Sequence, residues 1–199
     1  AYGLVAFVPD VLDMSKIEAG GLSLNNSHFD LAAMASDVVE LMRARAQVKH
    51  LQLRLEQSIP FVPVICADEA KLRQCLSNLI DNAIKFTYQG EIVLRLQIQP
   101  SLDVDAGRDA TATPLTLHLE VQDSGVGISP EDQQCVFQPF VQVGPQNTQK
   151  GTGLGLSITD KLVQCMQGQL QLQSALGQGS IFRISIPVTH VQEMVDSLP

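Results

Sequence analysis

No apolar run in this sequence approaches the roughly 20 residues that a membrane helix needs, and the N-terminus has no basic stretch leading into an apolar core. A membrane span and a secretion signal are thereby excluded from this stretch, which is expected to be soluble and cytoplasmic. Positive charge is also scarce, with 13 Lys and Arg against 21 Asp and Glu and a net charge of −8. Nucleic acid is therefore excluded as the main partner, because binding a phosphate backbone relies on a basic footprint. A small anion stays compatible if backbone amides, a few lysines and a divalent cation supply local positive charge. The four cysteines, Cys66, Cys75, Cys135 and Cys165, form no CxxC pair and have no His nearby at metal-ligand spacing. They are expected to be buried thiols in a reducing compartment. No internal repeat is present. What remains is 199 residues with 45% apolar content, enough for one globular domain with a short appended element and no need of disulfides.

Helical spacing of Leu4, Val8, Val11 and Leu12 runs toward paired glycines at Gly20 and Gly21. This opening resembles the interior of a helix, as expected of a piece of a longer protein. Asp30 suits the N-cap of a second helix with Leu31, Ala35, Val38, Leu41 and Met42 along it, and Asp68 that of a third with Leu72, Leu76, Leu79 and Ala83 inward. The third helix should end near Phe86. Alternation predicts strands at Leu51 to Leu55, Ile92 to Ile98 and Leu115 to Val121, with a short one at Val64 to Ala67. The stretch from Pro100 to Pro114 reads as an extended hairpin loop. Ser129, Pro130, Glu131 and Asp132 start a short helix, and Gln138 to Lys150 has the length and composition of a mobile lid. A last helix follows, with Leu154, Ile158, Leu162 and Met166 on one stripe and Gly168 as its stop, then strands at Gln169 to Ser174 and Ile181 to Pro187. The tail from Thr189 is expected to be frayed or a linker.

Three clusters carry chemistry. Asn78, Asn82 and Lys85 share one helix face, where amide oxygens suit Mg²⁺ and an ammonium suits phosphates. Alone, such a stripe fits a solvated helix face better. Asp123 with Gly125, Gly127 and Ile128 follows a strand, where a carboxylate can accept a hydrogen bond from an exocyclic amine while glycines let the backbone approach a flat ligand. Gly151, Thr152, Gly153, Leu154, Gly155 and Leu156 lead into a helix, so that successive amides can hold an anion. This last string is neither a P-loop nor a dinucleotide fingerprint. In order along the chain, the three describe a purine triphosphate held with Mg²⁺.

The string Asn78 to Thr87 resembles the N box of the histidine-kinase branch of the ATPases that also includes Hsp90, gyrase B and MutL. Asp123 to Gly127 resembles its G1 box, Phe137 to Phe140 its F box, and Gly151 to Leu156 its G2 box. Leu12 to Gly20 resembles the end of the dimerisation hairpin in sensor kinases, and His28 to Leu31 the start of the catalytic domain. The resemblance covers residues 10 to 188. It implies an α/β two-layer sandwich of the Bergerat type, a mixed and mostly antiparallel sheet with helices on one face. It further implies a hairpin remnant at 1–21, an ATP-binding domain at 22–188 and a tail at 189–199.

By the same resemblance Asp123 binds the adenine amine, Asn82 ligates Mg²⁺, Lys85 contacts the phosphates, and Gly151, Gly153 and Gly155 give room and amides. Asn78 and Lys85 are the implied catalytic residues. The hydrolysing relatives carry a glutamate where this chain has Asn78, and an asparagine cannot serve as that general base. The implied activity is protein-histidine kinase, with ATP and Mg²⁺, acting on a dimerisation hairpin of a homodimeric parent and feeding a response-regulator receiver domain. His28, His50, His118 and His190 are followed by Phe, Leu, Leu and Val, so none matches the family's His-acidic acceptor motif. The phosphoacceptor is expected outside this chain. Rival expectations are a nucleotide-binding regulatory module without phosphotransfer and a gyrase-type hydrolase.

Overall fold

The computed structural model describes residues 14–15, 21, 23–58, 64–100, 112–143 and 152–191. The chain forms β1 (Ser27–Asp30), α1 (Leu31–Val48), β2 (Gln52–Ser58), β3 (Val64–Ala67) and α2 (Glu69–Phe86). Then come β4 (Glu91–Pro100), β5 (Ala112–Asp123), the single turn α3 (Pro130–Gln133), α4 (Gly155–Cys165), β6 (Gln169–Ala175) and β7 (Gly179–Val191). The caps sit where the sequence places them. Asp30 Oδ1 accepts from the Ala33 amide at 2.9 Å and Asp68 Oδ1 from the Lys71 amide at 3.0 Å, each satisfying an orphan donor of a first helical turn.

Seven strands form one sheet in the order β1-β3-β7-β5-β4-β2, with β6 also paired to β7. Among the described residues only β2 and β4 run parallel; the other pairs are antiparallel. The mixed, mostly antiparallel sheet expected from the sequence is therefore the one observed. One face carries Ile92, Leu94, Leu96, Leu117, Leu119, Val121, Phe182, Ile184 and Ile186, all buried against the helices. The period-two spacing of these residues is what sends them to a single face. On the other face Arg54, Arg95 and Arg183 alternate with Glu91, Glu56 and Glu120: Arg54 pairs with Glu91 at 2.6 Å, Arg95 with Glu56 at 2.7 Å and Glu120 at 2.8 Å, and Arg183 with Glu120. Burial pushes the Glu120 carboxyl up, but hydrogen bonds from Arg183 and Arg95 outweigh it and hold it below its usual range.

Several expectations are corrected. Strand β1 was not anticipated, since only Phe29 among its four residues turns inward and no alternation is visible. Strand β7 continues through Thr189 to Val191, because those residues pair with β5 at Pro114 to Ala112, so the expected tail at Thr189 starts too early. Helix α4 starts at Gly155, so Leu154 of the expected stripe is its N-cap residue and Met166 its C-cap residue. Of the cysteines, only Cys75 is buried; Cys66 and Cys135 are half-buried and Cys165 is exposed, and all four are free. Cys165 lies off the stripe of Leu154, Ile158, Leu162 and Met166, all four of which are buried. The spacing of Leu4 to Leu12, most of the match at Leu12 to Gly20, the loop at 101–111 and the lid at 144–151 lie outside the described residues. No described helix is long and apolar enough to cross a membrane.

Burial also pushes the Cys75 thiol up to about 12, leaving almost no thiolate at neutral pH. Mass spectrometry after a brief pulse of iodoacetamide on the folded chain is expected to find Cys165 modified first and Cys75 unmodified until denaturant is added. Comparable labelling of Cys75 in the native state would contradict this packing.

Candidate active site

Helix α2 buries Leu72, Leu76, Leu79 and Ile80 completely. Residues three and four apart share a face, so this stripe turns Asn78, Asn82 and Lys85 toward the helix's half-buried edge. Asn78 Nδ2 reaches the Gly155 carbonyl and Thr159 Oγ1, both at 3.4 Å, joining α2 to the first turn of α4. A glutamate here would turn carboxylate oxygens toward that carbonyl. Among the described residues the Asn82 side-chain amide makes no hydrogen bond, so its oxygen is open to a hard cation. Burial, partly offset by Asp81, holds the Lys85 ammonium below its usual value, the mark of a cation short of an anion. These donors fit a metal-bound phosphate chain.

The end of β5 meets the end of α2. Asp123 pairs with Ile92 of β4 and with Ser180 of β7, and the next residues fold back so that the Val126 amide donates to the Phe86 carbonyl at 3.3 Å. Asp123 is only 7% exposed, and its Oδ1 accepts from the Gly125 amide at 2.8 Å. Burial raises the carboxyl above its usual range, against the pull of backbone hydrogen bonds from Gly125 and Ser180. A buried carboxylate with so few donors suits a ligand that brings one. The turn needs its glycines: at Gly127, with φ of +68°, a Cβ would lie 1.9 Å from the Ala175 oxygen. Ile128 is held by its amide, which donates to Ser174 Oγ at 2.8 Å.

The glycine-rich turn is anchored too. The Phe140 amide donates to the Gly153 carbonyl at 2.9 Å, and the Leu154 amide to Thr152 Oγ1 at 3.2 Å. Leu154 is buried, Leu156 packs against the core, and α4 begins at Gly155 without a side-chain cap. Gly151 lies outside the described residues. Helix α2 thus touches both other clusters, the glycine turn through Asn78 and the Asp123 loop through its last carbonyl. No hydrogen bond among the described residues joins Asn82 or Lys85 to either.

Residues 67–190 match the family described as histidine kinase-, DNA gyrase B- and HSP90-like ATPase. The chain belongs to this family. It is 36% identical over 197 residues to sensor protein GacS of Pseudomonas syringae pv. syringae, covering 97% of this chain and 20% of that protein. Aerobic respiration control sensor protein ArcB of Escherichia coli K12 is 35% identical over 190 residues, covering 94% of this chain and 23% of its own length. The chain therefore spans about a fifth of the length of these relatives. The crystal structure of full-length ShkA in complex with AMPPNP superposes with a TM-score of 0.78 at 31% identity, covering 94% of this chain and 36% of that one. The histidine kinase AdeS of Acinetobacter baumannii superposes with a TM-score of 0.69 at 26% identity, covering 92% and 77%. The chain is thus homologous to the ATP-binding catalytic domains of two-component sensor kinases.

Two residues of the site went unread in the sequence. Ser180 faces Asp123 across the β5–β7 pair, and Ser174 joins the Ile128 amide to Ser180, whose hydroxyl is 3.0 Å from its own. Their signal is the Gly177 to Gly179 turn, whose second glycine approaches the Asp123 carbonyl so closely that a Cβ would lie 1.9 Å away.

Because folding raises the Asp123 carboxyl above 3.8, the folded chain keeps a proton that the unfolded chain releases in the window above that value. Stability contributed at this position is present at low pH and falls as pH rises through the window. Asp123→Asn lacks the titration. The melting temperature of the ligand-free variant, minus that of the unmodified chain, should grow from pH 3.5 to pH 7; a flat or opposite trend in paired thermal melts would refute the assignment.

Proposed function

We propose that this chain binds ATP with Mg²⁺ and supplies it to a histidine of a separate dimerisation hairpin, acting as the catalytic domain of a sensor histidine kinase. The observation that supports the reading is α2, which sets Asn78, Asn82 and Lys85 along one half-buried edge and touches both the buried Asp123 loop and the glycine turn. Asp123 would accept a hydrogen bond from the adenine amine, with Gly125, Gly127 and Ile128 forming the backbone wall beside the base. Asn82 would hold Mg²⁺, which when bound neutralises phosphate charge. Lys85, desolvated, would meet the phosphate oxygens as a point charge. Amides at Gly151, Thr152, Gly153, Gly155 and Leu156 would cradle the phosphates beside the N-terminus of α4, with Leu154 anchoring the turn in the core.

Asn78 supports transfer over hydrolysis. Its amide donates toward Gly155 and Thr159, so this side chain presents no general base to water. Catalysis then rests on positioning and charge neutralisation. Residues 1–21 would be a remnant of the dimerisation hairpin of a homodimeric, cytoplasmically facing kinase, residues 22–188 with the end of β7 at Val191 would be the ATP-binding domain, and a receiver domain would take the phosphoryl group next. The AMPPNP complex of ShkA, a 31% identical relative, supports the choice of ligand.

Calorimetry is expected to show Mg²⁺-assisted binding of ATP in preference to GTP. Asp123→Asn should lose about 1.5–3 kcal/mol, or roughly ten- to a hundredfold in Kd, as a charge-assisted hydrogen bond is replaced. Unchanged affinity would remove Asp123 from the base pocket. Mixed with a cognate hairpin and Mg-ATP, the chain should yield acid-labile phosphohistidine, and its absence would refute the kinase reading.

A further inference from the structure

Each of the last four carbonyls of α2 has a partner. The Ala83 oxygen accepts from the Thr87 amide at 3.0 Å, and the Phe86 oxygen from the Val126 amide at 3.3 Å. The two between them are taken by one side chain of another helix: Lys49 Nζ donates to the Ile84 oxygen at 2.6 Å and to the Lys85 oxygen at 2.9 Å. Lys49 is the C-cap of α1, is half-buried, and lies with its ammonium 5.7 Å from the centroid of the Tyr88 ring.

A helix C-terminus gathers unpaired carbonyl dipoles equivalent to roughly half a negative elementary charge. Asn82 and Lys85 sit in the last turns of α2, close to that pole. A polyphosphate held by these two residues therefore lies near the unfavourable end of the helix, whereas the N-terminus of α4 offers it the favourable one. An ammonium seated on the carbonyls of Ile84 and Lys85 answers the problem directly, adding one positive charge where the helix field is negative and tying down the turn from which Lys85 projects.

We propose that Lys49 is a positioning residue for the phosphate end of the nucleotide site, its charge cancelling the negative pole of α2 so that a polyphosphate can be held by Asn82 and Lys85. The inference rests on the ATP-binding reading above. Lys49 touches no nucleotide in this account; it acts through the α2 terminus.

The test is titration of adenosine, ADP and ATP, with Mg²⁺, into the unmodified chain and into Lys49→Gln, Lys49→Met and Lys49→Arg. Glutamine keeps a donor without charge, methionine keeps the stem alone, and arginine keeps charge and donors. The neutral variants should hold adenosine affinity within about twofold and weaken ATP about three- to tenfold, with ADP between them. The deficit should shrink at high salt, and arginine should restore the ATP-to-adenosine ratio. A purely structural role would weaken all three ligands alike; that result, or unchanged ATP affinity in both neutral variants, overturns the proposal. If Lys49→Met fails to fold, the comparison of glutamine with arginine decides the question alone. Failure of the unmodified chain to bind ATP is a separate outcome, which removes the nucleotide reading and this inference with it.

Discussion

The apolar stripe of α2 is the constraint from which the site follows. Four side chains of that stripe, Leu72, Leu76, Leu79 and Ile80, are fully buried. At about 1.5–3 kcal/mol for each large aliphatic side chain removed from water, their burial sets the rotation of the helix far more strongly than any polar contact does. Once that rotation is set, Asn78, Asn82 and Lys85 have one direction left to face. The polar residues do not choose their position; the leucines choose it for them.

The Asp123 loop shows the opposite balance, with local stability traded for a receptive carboxylate. Burial works against the charged form and the backbone returns only part of the lost hydration. Around it the backbone is crowded, with Gly125 against the Phe86 carbonyl, Gly127 against Ala175 and Gly179 against the Asp123 carbonyl. Side chains at these points would push apart the ends of α2, β5 and β6. The loop thus holds its carboxylate in place through main-chain contacts, which no ordinary side-chain substitution elsewhere can readily replace.

The parts of the fold legible in the sequence are those determined by neighbours along the chain. Asp30 and Asp68 cap the amides three residues on, the stripes of α1 and α2 repeat at helical spacing, and apolar residues alternate in β4 from Ile92 to Ile98 and in β5 from Leu115 to Val121. The order of the three polar clusters was equally plain. Less legible were features decided by register or by distant contacts. Strand β1 has one inward side chain to signal it; α4 starts after Leu154, which offers no capping oxygen. Ser180 meets Asp123 only because β5 and β7 pair in one particular register, and Lys49 reaches carbonyls 35 and 36 residues away. The exposed Cys165 belongs with these, since its side of α4 is known only once the helix is docked.

The parallel pairing of β2 with β4 places Gln52 opposite Glu91. Between those strands the chain crosses to β3, near the far edge of the sheet, and returns as α2. The helix that carries the candidate site is therefore the return arm of a long crossover, and pairing β2 with β4 closes the loop that contains it. Loop closure over such a span is entropically slow compared with a hairpin. The candidate site accordingly lies inside the span closed by a non-local pairing, so its assembly shares the slow part of folding and not the fast closure of a hairpin.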